Sequence, residues 1–191
     1  MFLNRMIGGT FEGSNDPDFR EKEVLYLINE KPKRLQTVVQ SYSSKSYRYV
    51  RYKGPKDSHC NIAEAAFYTP NDTASLKGKV IGTPGCFQKD GSHEYTNVFD
   101  GDVTTSFDYI EPSGGWSGLD LGTPKQIGRI VYTPRSYDNY IRSGDDYELF
   151  YCARRNNWKS LGDQRSKAES LIYIKIPVNA LLLLCNNTRG I

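Results

Sequence analysis

Between Phe99 and Phe107 the chain reads Phe99-Asp100-Gly101-Asp102-Val103-Thr104-Thr105-Ser106-Phe107, bringing two carboxylates, a glycine and three hydroxyls close together. A loop of that composition either presents several hard oxygens to a cation such as Ca²⁺ or caps its own turn, and both readings stay open here. Signatures of catalysis are missing. The two histidines, His59 and His93, accompany no G-x-S-x-G, H-E-x-x-H or glycine-rich phosphate loop. Glu111, Asp138, Asp145 and Asp146 fall in expected loops. A glycosidase, however, needs two carboxylates at a set separation across a cleft, which spacing along the chain does not define. The sequence is therefore read as that of a binding protein rather than an enzyme.

The elements that would position the acidic turn are strands. Trp116-Ser117-Gly118-Leu119-Asp120-Leu121-Gly122 and Ile127-Gly128-Arg129-Ile130-Val131-Tyr132 alternate apolar with polar or small residues, the period of a strand with one buried face. Tyr47-Arg48-Tyr49-Val50-Arg51-Tyr52 alternates in the same way, and Val24 to Ile28, Cys60 to Tyr68 and Leu76 to Ile81 also read as strands. Glu94 to Phe99 fits either a short helical turn or a strand. At 38% hydrophobic residues the chain can bury a core, and its 14 tyrosines favour strands and surfaces that stack on flat ligands. A net charge of +3, with no basic stripe, argues against nucleic acid. Cys60, Cys86, Cys152 and Cys185 lack metal-type spacing; Cys152 and Cys185 are expected as buried thiols, with one disulfide left open for an exported protein. The longest apolar run, Ala180 to Cys185, is far short of a membrane span, and Met1 to Gly9 does not read as a leader.

Three ordered blocks, FDGD..T.F from Phe99, W.GLDLG from Trp116 and I..I.Y.PR from Ile127, resemble the discoidin domain, also called the coagulation factor five/eight type C domain. Within it the likeness is nearest to the family 32-like carbohydrate-binding modules of bacterial glycan-degrading proteins. Composition alone indicates only an all-β protein. The resemblance implies more: an antiparallel jelly-roll β-sandwich, galactose-binding-domain-like, that binds through loops at one end.

Residue by residue, the resemblance places Arg135 and Asn139 in hydrogen-bonding range of a terminal galactose-type sugar, with Tyr137, Tyr140 and Tyr109 as stacking rings and Asp108 as a polar contact. Guanidinium and amide groups donate to vicinal hydroxyls, and a tyrosine ring covers the apolar sugar face. The resemblance also makes Asp100, Asp102 and Thr105 ligands of a structural Ca²⁺ whose shell a glutamate of the last strand completes. The implied protein is a non-catalytic module that recognises glycans and anchors a larger multi-domain protein, extracellular or at the cell surface. It has no nucleic-acid partner and no membrane insertion. The alternative is a structural or adhesion spacer.

An internal repeat about half a domain long adds an organisation. Asp145 to Tyr151 repeats Phe11 to Ser14, Trp158 to Leu161 repeats Val24 to Leu27, and Ala180 to Cys185 repeats Tyr47 to Tyr52. Residues 1–69 are thus expected to form the C-terminal half of one discoidin-like domain, and residues 75–191 a second sandwich lacking its last strand. On this reading the chain is a piece of a longer protein. The strand that would fill the empty slot is Asn61 to Tyr68 or its twin from another molecule, and Glu64, which that strand carries, has no counterpart in the second copy.

Overall fold

The computed structural model describes residues 2–32, 36–135, 141–152, 157–168 and 170–188. Among the described residues it is all-β, with eleven strands in antiparallel sheets and two short 3₁₀ turns, Phe2–Met6 and Tyr95–Phe99. The strands are β1 (Thr10–Ser14), β2 (Glu23–Leu27), β3 (Thr37–Gln40), β4 (Ser46–Lys53), β5 (Glu64–Tyr68), β6 (Lys79–Gly82), β7 (Trp116–Gln126), β8 (Arg129–Thr133), β9 (Asp146–Cys152), β10 (Trp158–Arg165) and β11 (Leu181–Asn186). The Glu94 to Phe99 ambiguity resolves as a helical turn, and the first strand after residue 75 starts at Lys79 rather than Leu76.

The chain divides into two compact units, Met1–Asp138 and Asn139–Ile191. That boundary differs from the expected break at residues 69–75, and strand pairing gives the reason. In unit 1 the strand order β2-β1-β4-β7-β6 makes one sheet and β3-β8-β5 the other. β4 pairs with β7, and β5 pairs with β8, so residues on both sides of 69–75 share each sheet. The Asn61 to Tyr68 segment fills its strand slot within its own chain, on the β8 edge.

Alternation along β4 sends Val50 and Tyr52, both fully buried, toward the core, where Phe11, Phe67, Leu119, Ile130 and Tyr132 from the two sheets meet. The Phe11 ring lies 5.2 Å from Tyr132 and 6.0 Å from Phe67 between centroids, so the sheets of unit 1 face one another across aromatic contacts. On the other face of β4, Arg51 is buried under Phe19, 4.0 Å from the ring centroid, and pairs with Glu12 at 2.7 Å. Gly118 sits opposite Arg51, and a Cβ there would lie 2.3 Å from the Val50 carbonyl oxygen. The β4–β7 approach therefore requires glycine.

Unit 2 is a three-stranded sheet in the order β10-β9-β11. As β1 does between β2 and β4, β9 runs antiparallel between its two neighbours. Tyr147 and Leu149 provide its buried side.

Candidate functional site

Asp108 and Arg135 anchor one cluster in unit 1. Arg135 follows the end of β8, and Asp108 follows Phe107, whose backbone bridges to Ile62. Nη1 of Arg135 donates to Oδ2 of Asp108, and both side chains are largely buried. The amide Nδ2 of Asn61 donates to Oδ1 of Asp108 at 2.5 Å, and Nη1 of Arg5 donates to Oδ1 of Asn61 at 2.8 Å. A buried carboxylate is thereby met by a guanidinium and an amide, the condition under which a buried charge is tolerated.

The loops around this pair are held by their own backbones. Asp108 N–H donates to the His93 carbonyl at 3.1 Å, Phe87 N–H to the Asp108 carbonyl at 2.8 Å, and Tyr109 N–H to the His59 carbonyl at 2.7 Å. His59 Nδ1 lies 3.0 Å from the Tyr109 carbonyl, and His93 Nδ1 lies 3.2 Å from that of Ser106. The His59 and Phe87 rings meet edge to face at 6.1 Å, and Phe87 is 56% exposed. Asp57, His59 and Cys60 all take left-handed backbone conformations, with φ from 53° to 56°. Non-glycine residues there carry strain that surrounding contacts must hold, a feature enriched at functional loops. Ser58 and His59 N–H groups both donate to the Pro112 carbonyl, which supplies that hold.

Among the residues expected to contact a ligand, Arg135, Asp108 and Tyr109 come together in this cluster. Tyr137, Asn139 and Tyr140 lie outside the described residues. Arg135 pairs with Asp108. Arg5, His59, Asn61 and Phe87 escape a reading of the sequence, because they lie far from Arg135 along the chain and join its cluster only through tertiary hydrogen bonds. The three left-handed residues, Asp57, His59 and Cys60, leave no trace in residue type.

The acidic turn forms a second cluster. Asp100 Oδ1 accepts from Asp102 N–H at 2.7 Å, its Oδ2 accepts from Thr105 Oγ1 at 2.8 Å, and Asp102 Oδ1 accepts from Thr104 N–H at 2.8 Å. Gly101 takes a positive φ of 84°, and its N–H donates to Glu64 Oε1 at 2.9 Å. Glu64 therefore docks on this turn, although on the expected division into half-domains it belonged to a different copy. Burial, followed by the neighbouring Asp100 carboxyl, pushes Glu64 up to about 8. It also borders a cavity of about 220 Å³ with Phe99, Gly101 and Leu119. Among the described residues no group of three His, Cys, Asp or Glu side chains is arranged to hold a metal ion. The turn oxygens instead face the turn's own donors.

A polar groove of about 460 Å³ runs between Ser14, Asp16, Lys22, Glu23, Lys45 and Tyr47. Within it Lys45 pairs with Glu23, and that hydrogen bond, with Ser43 and Tyr47 adding to it, holds Glu23 down at about 2. The four cysteines are free thiols, and Cys60, Cys86 and Cys152 are buried while Cys185 is half-buried. Burial raises the Cys60 thiol far above the ordinary thiol range, which removes it as a nucleophile. No helix of the described residues is long and apolar enough to cross a membrane. Comparisons with family models, curated proteins and solved structures return no match.

Proposed function

We propose that unit 1 is a non-catalytic carbohydrate-binding module of discoidin type, a jelly-roll sandwich that recognises glycans through the loops around Arg135 and thereby anchors a larger protein outside the cell. The observation that supports this reading most is the meeting of a guanidinium, two imidazoles and an exposed aromatic ring, Arg135, His59, His93 and Phe87, around one strained loop end. Planar donors paired with an aromatic face suit a sugar, whose hydroxyls accept and donate in the ring plane and whose C–H face is apolar. Affinity per site is weak because those hydroxyls must be desolvated, and repeated modules would raise it by avidity.

Ca²⁺ enters the same reading at the acidic turn. Two carboxyls, Glu64 and Asp100, stand side by side and need either a proton or a cation between them. In the arrangement present the donors suit a proton; with a cation bound, Asp100, Asp102, Thr105 and Glu64 would hold it and it would neutralise that pair.

The test is a glycan array followed by calorimetry on the full chain. Galactose-terminated glycans are expected to bind, and Phe87→Ala to lose about tenfold in affinity through lost stacking while the fold is kept, since the ring is mostly in solvent. Arg135→Ala is the poorer probe because it strands the buried Asp108 charge. One observation favours the spacer reading: the Arg135 guanidinium is already engaged by Asp108. Failure of every sugar on a broad panel would decide for the spacer, and unchanged affinity in Phe87→Ala would remove this loop end from the site.

A further inference from the structure

We propose that a cleft between the outer strands of the two sheets of unit 1 is a second sugar site, which takes a single monosaccharide ring independently of the loops around Arg135. β2 is the outer strand of one sheet and β3 that of the other. Between them lies a cleft of about 320 Å³, lined by Tyr26 of β2, Thr37 and Val38 of β3, Tyr132 of β8, and Glu30 and Gln36 from the segment joining β2 to β3. That size is at the lower end for small-molecule sites and suits one ring rather than a chain.

The wall of the cleft is aromatic. The Tyr26 and Tyr132 rings stand 6.4 Å apart between centroids at 39° to each other, with Tyr132 buried and Tyr26 half-buried. Together with the exposed Val38 they offer an apolar face, which fits the C–H side of a sugar ring.

The polar groups of the cleft distinguish a sugar from other apolar ligands. Thr37 Oγ1 is buried without a hydrogen-bond partner among the described residues, although the Tyr132 phenol neighbours it. A buried hydroxyl left unmet is unfavourable, and its partner must bring a polar group of its own. On the rim Glu30 supplies an acceptor, Lys31 donors and Gln36 both. An aromatic or aliphatic ligand would leave Thr37 Oγ1 unmet and strip water from the rim without replacing its hydrogen bonds. A sugar answers both halves: its C–H face lies on tyrosine, and its hydroxyls, each a donor and an acceptor, reach Thr37 and the rim.

The cleft and the Arg135 cluster lie on opposite sides of β8. Thr37 pairs with Tyr132 on one side, whereas Asn61 and Asp108 come from the other, where Glu64 pairs with Thr133 and Ile62 bridges to Phe107. Binding in the cleft therefore stands whether or not the loop end takes a glycan.

The experiment is an NMR titration of the full chain with the methyl glycosides of galactose, glucose and mannose, each to about 50 mM, read on the Val38 methyl and Tyr26 ring signals. At least one glycoside is expected to shift them saturably, with a millimolar Kd. Thr37→Val keeps the branched shape and is expected to weaken binding about tenfold while Tm stays level or rises, because an unmet buried hydroxyl is gone. Gln36→Ala, at an exposed position, is expected to weaken it about threefold with the fold kept. Phe87→Ala, at the loop end, is expected to leave the cleft signals unchanged. Glycosides that shift nothing in the cleft would leave it to ordered water and overturn the proposal, whatever the loop end binds. Undiminished affinity in both Thr37→Val and Gln36→Ala would place the sugar elsewhere and overturn it too, as would cleft shifts that vanish with Phe87→Ala.

Discussion

Glu64→Gln separates the protonated and ionised forms of the acidic turn without changing shape. Glu64 is half-buried beside Asp100, and its folded-state value of about 8 exceeds the ordinary 4.5. Between those values the folded state holds a proton that the unfolded state has released, so stability must fall as pH rises across this window. The contribution is complete below about pH 4.5 and lost above about pH 8. At about 1.4 kcal/mol per unit the full gap would be several kcal/mol, and partial exposure reduces it to about 1–2 kcal/mol. For a chain of this size that is a fall of about 2–8 °C in Tm. The assay is thermal unfolding from pH 5 to 8.5 in chelator, in a Trp158→Phe background so that Trp116 alone reports on unit 1. Other titrating groups cancel in the difference between wild type and Glu64→Gln. The wild type should lose stability with rising pH relative to the variant, and the variant should equal or exceed it at pH 8.5. Added Ca²⁺ at pH 8.5 should raise the midpoint of the wild type only, because a ligand of the folded state stabilises by mass action. Parallel curves for the two proteins across the whole range would refute the carboxyl-pair argument.

Two further outcomes follow from the core of unit 1. Glu12→Ala leaves Arg51 charged and buried between Phe19 and Trp116, and should cost about 3–5 kcal/mol by urea denaturation, whereas Glu12→Leu combined with Arg51→Met should recover most of the loss. A double variant as unstable as the single would show that the ion pair does more than neutralise itself. Cys60, buried with a strongly raised thiol, should resist a thiol reagent until the chain unfolds, while the half-buried Cys185 reacts first; rapid native labelling of Cys60, read by mass spectrometry, contradicts its burial.

Much of the fold was legible in residue pattern. The Tyr-Arg-Tyr-Val-Arg-Tyr run of β4 announces a strand, and the structure buries both of its faces, Val50 and Tyr52 on one and Tyr49 and Arg51 on the other. The sheets β2-β1-β4 and β10-β9-β11 each place their first strand in the middle. β3 was hidden because Thr37 to Gln40 is short and borders a serine-rich stretch. The arrangement around Arg135 was legible only in part. Its charge and the adjacent tyrosines stand out in sequence, but Asn61 and Arg5 reach Asp108 from far earlier in the chain.

The sequence by itself determined that this is a strand-built protein, where its turns lie, and that Asp100 to Thr105 folds into an acidic turn. Those properties depend on side-chain period and on bonds between residues a few positions apart. Only the tertiary structure decided that residues 1–69 share their sheets with the segment from 79 to 133, and that Glu64 lies on Gly101 while Arg135 meets Asp108. The physical reason is that a period of two assigns each strand a buried face but leaves its hydrogen-bonding edges unassigned. Partners across those edges are chosen by packing between distant segments, which no local pattern encodes.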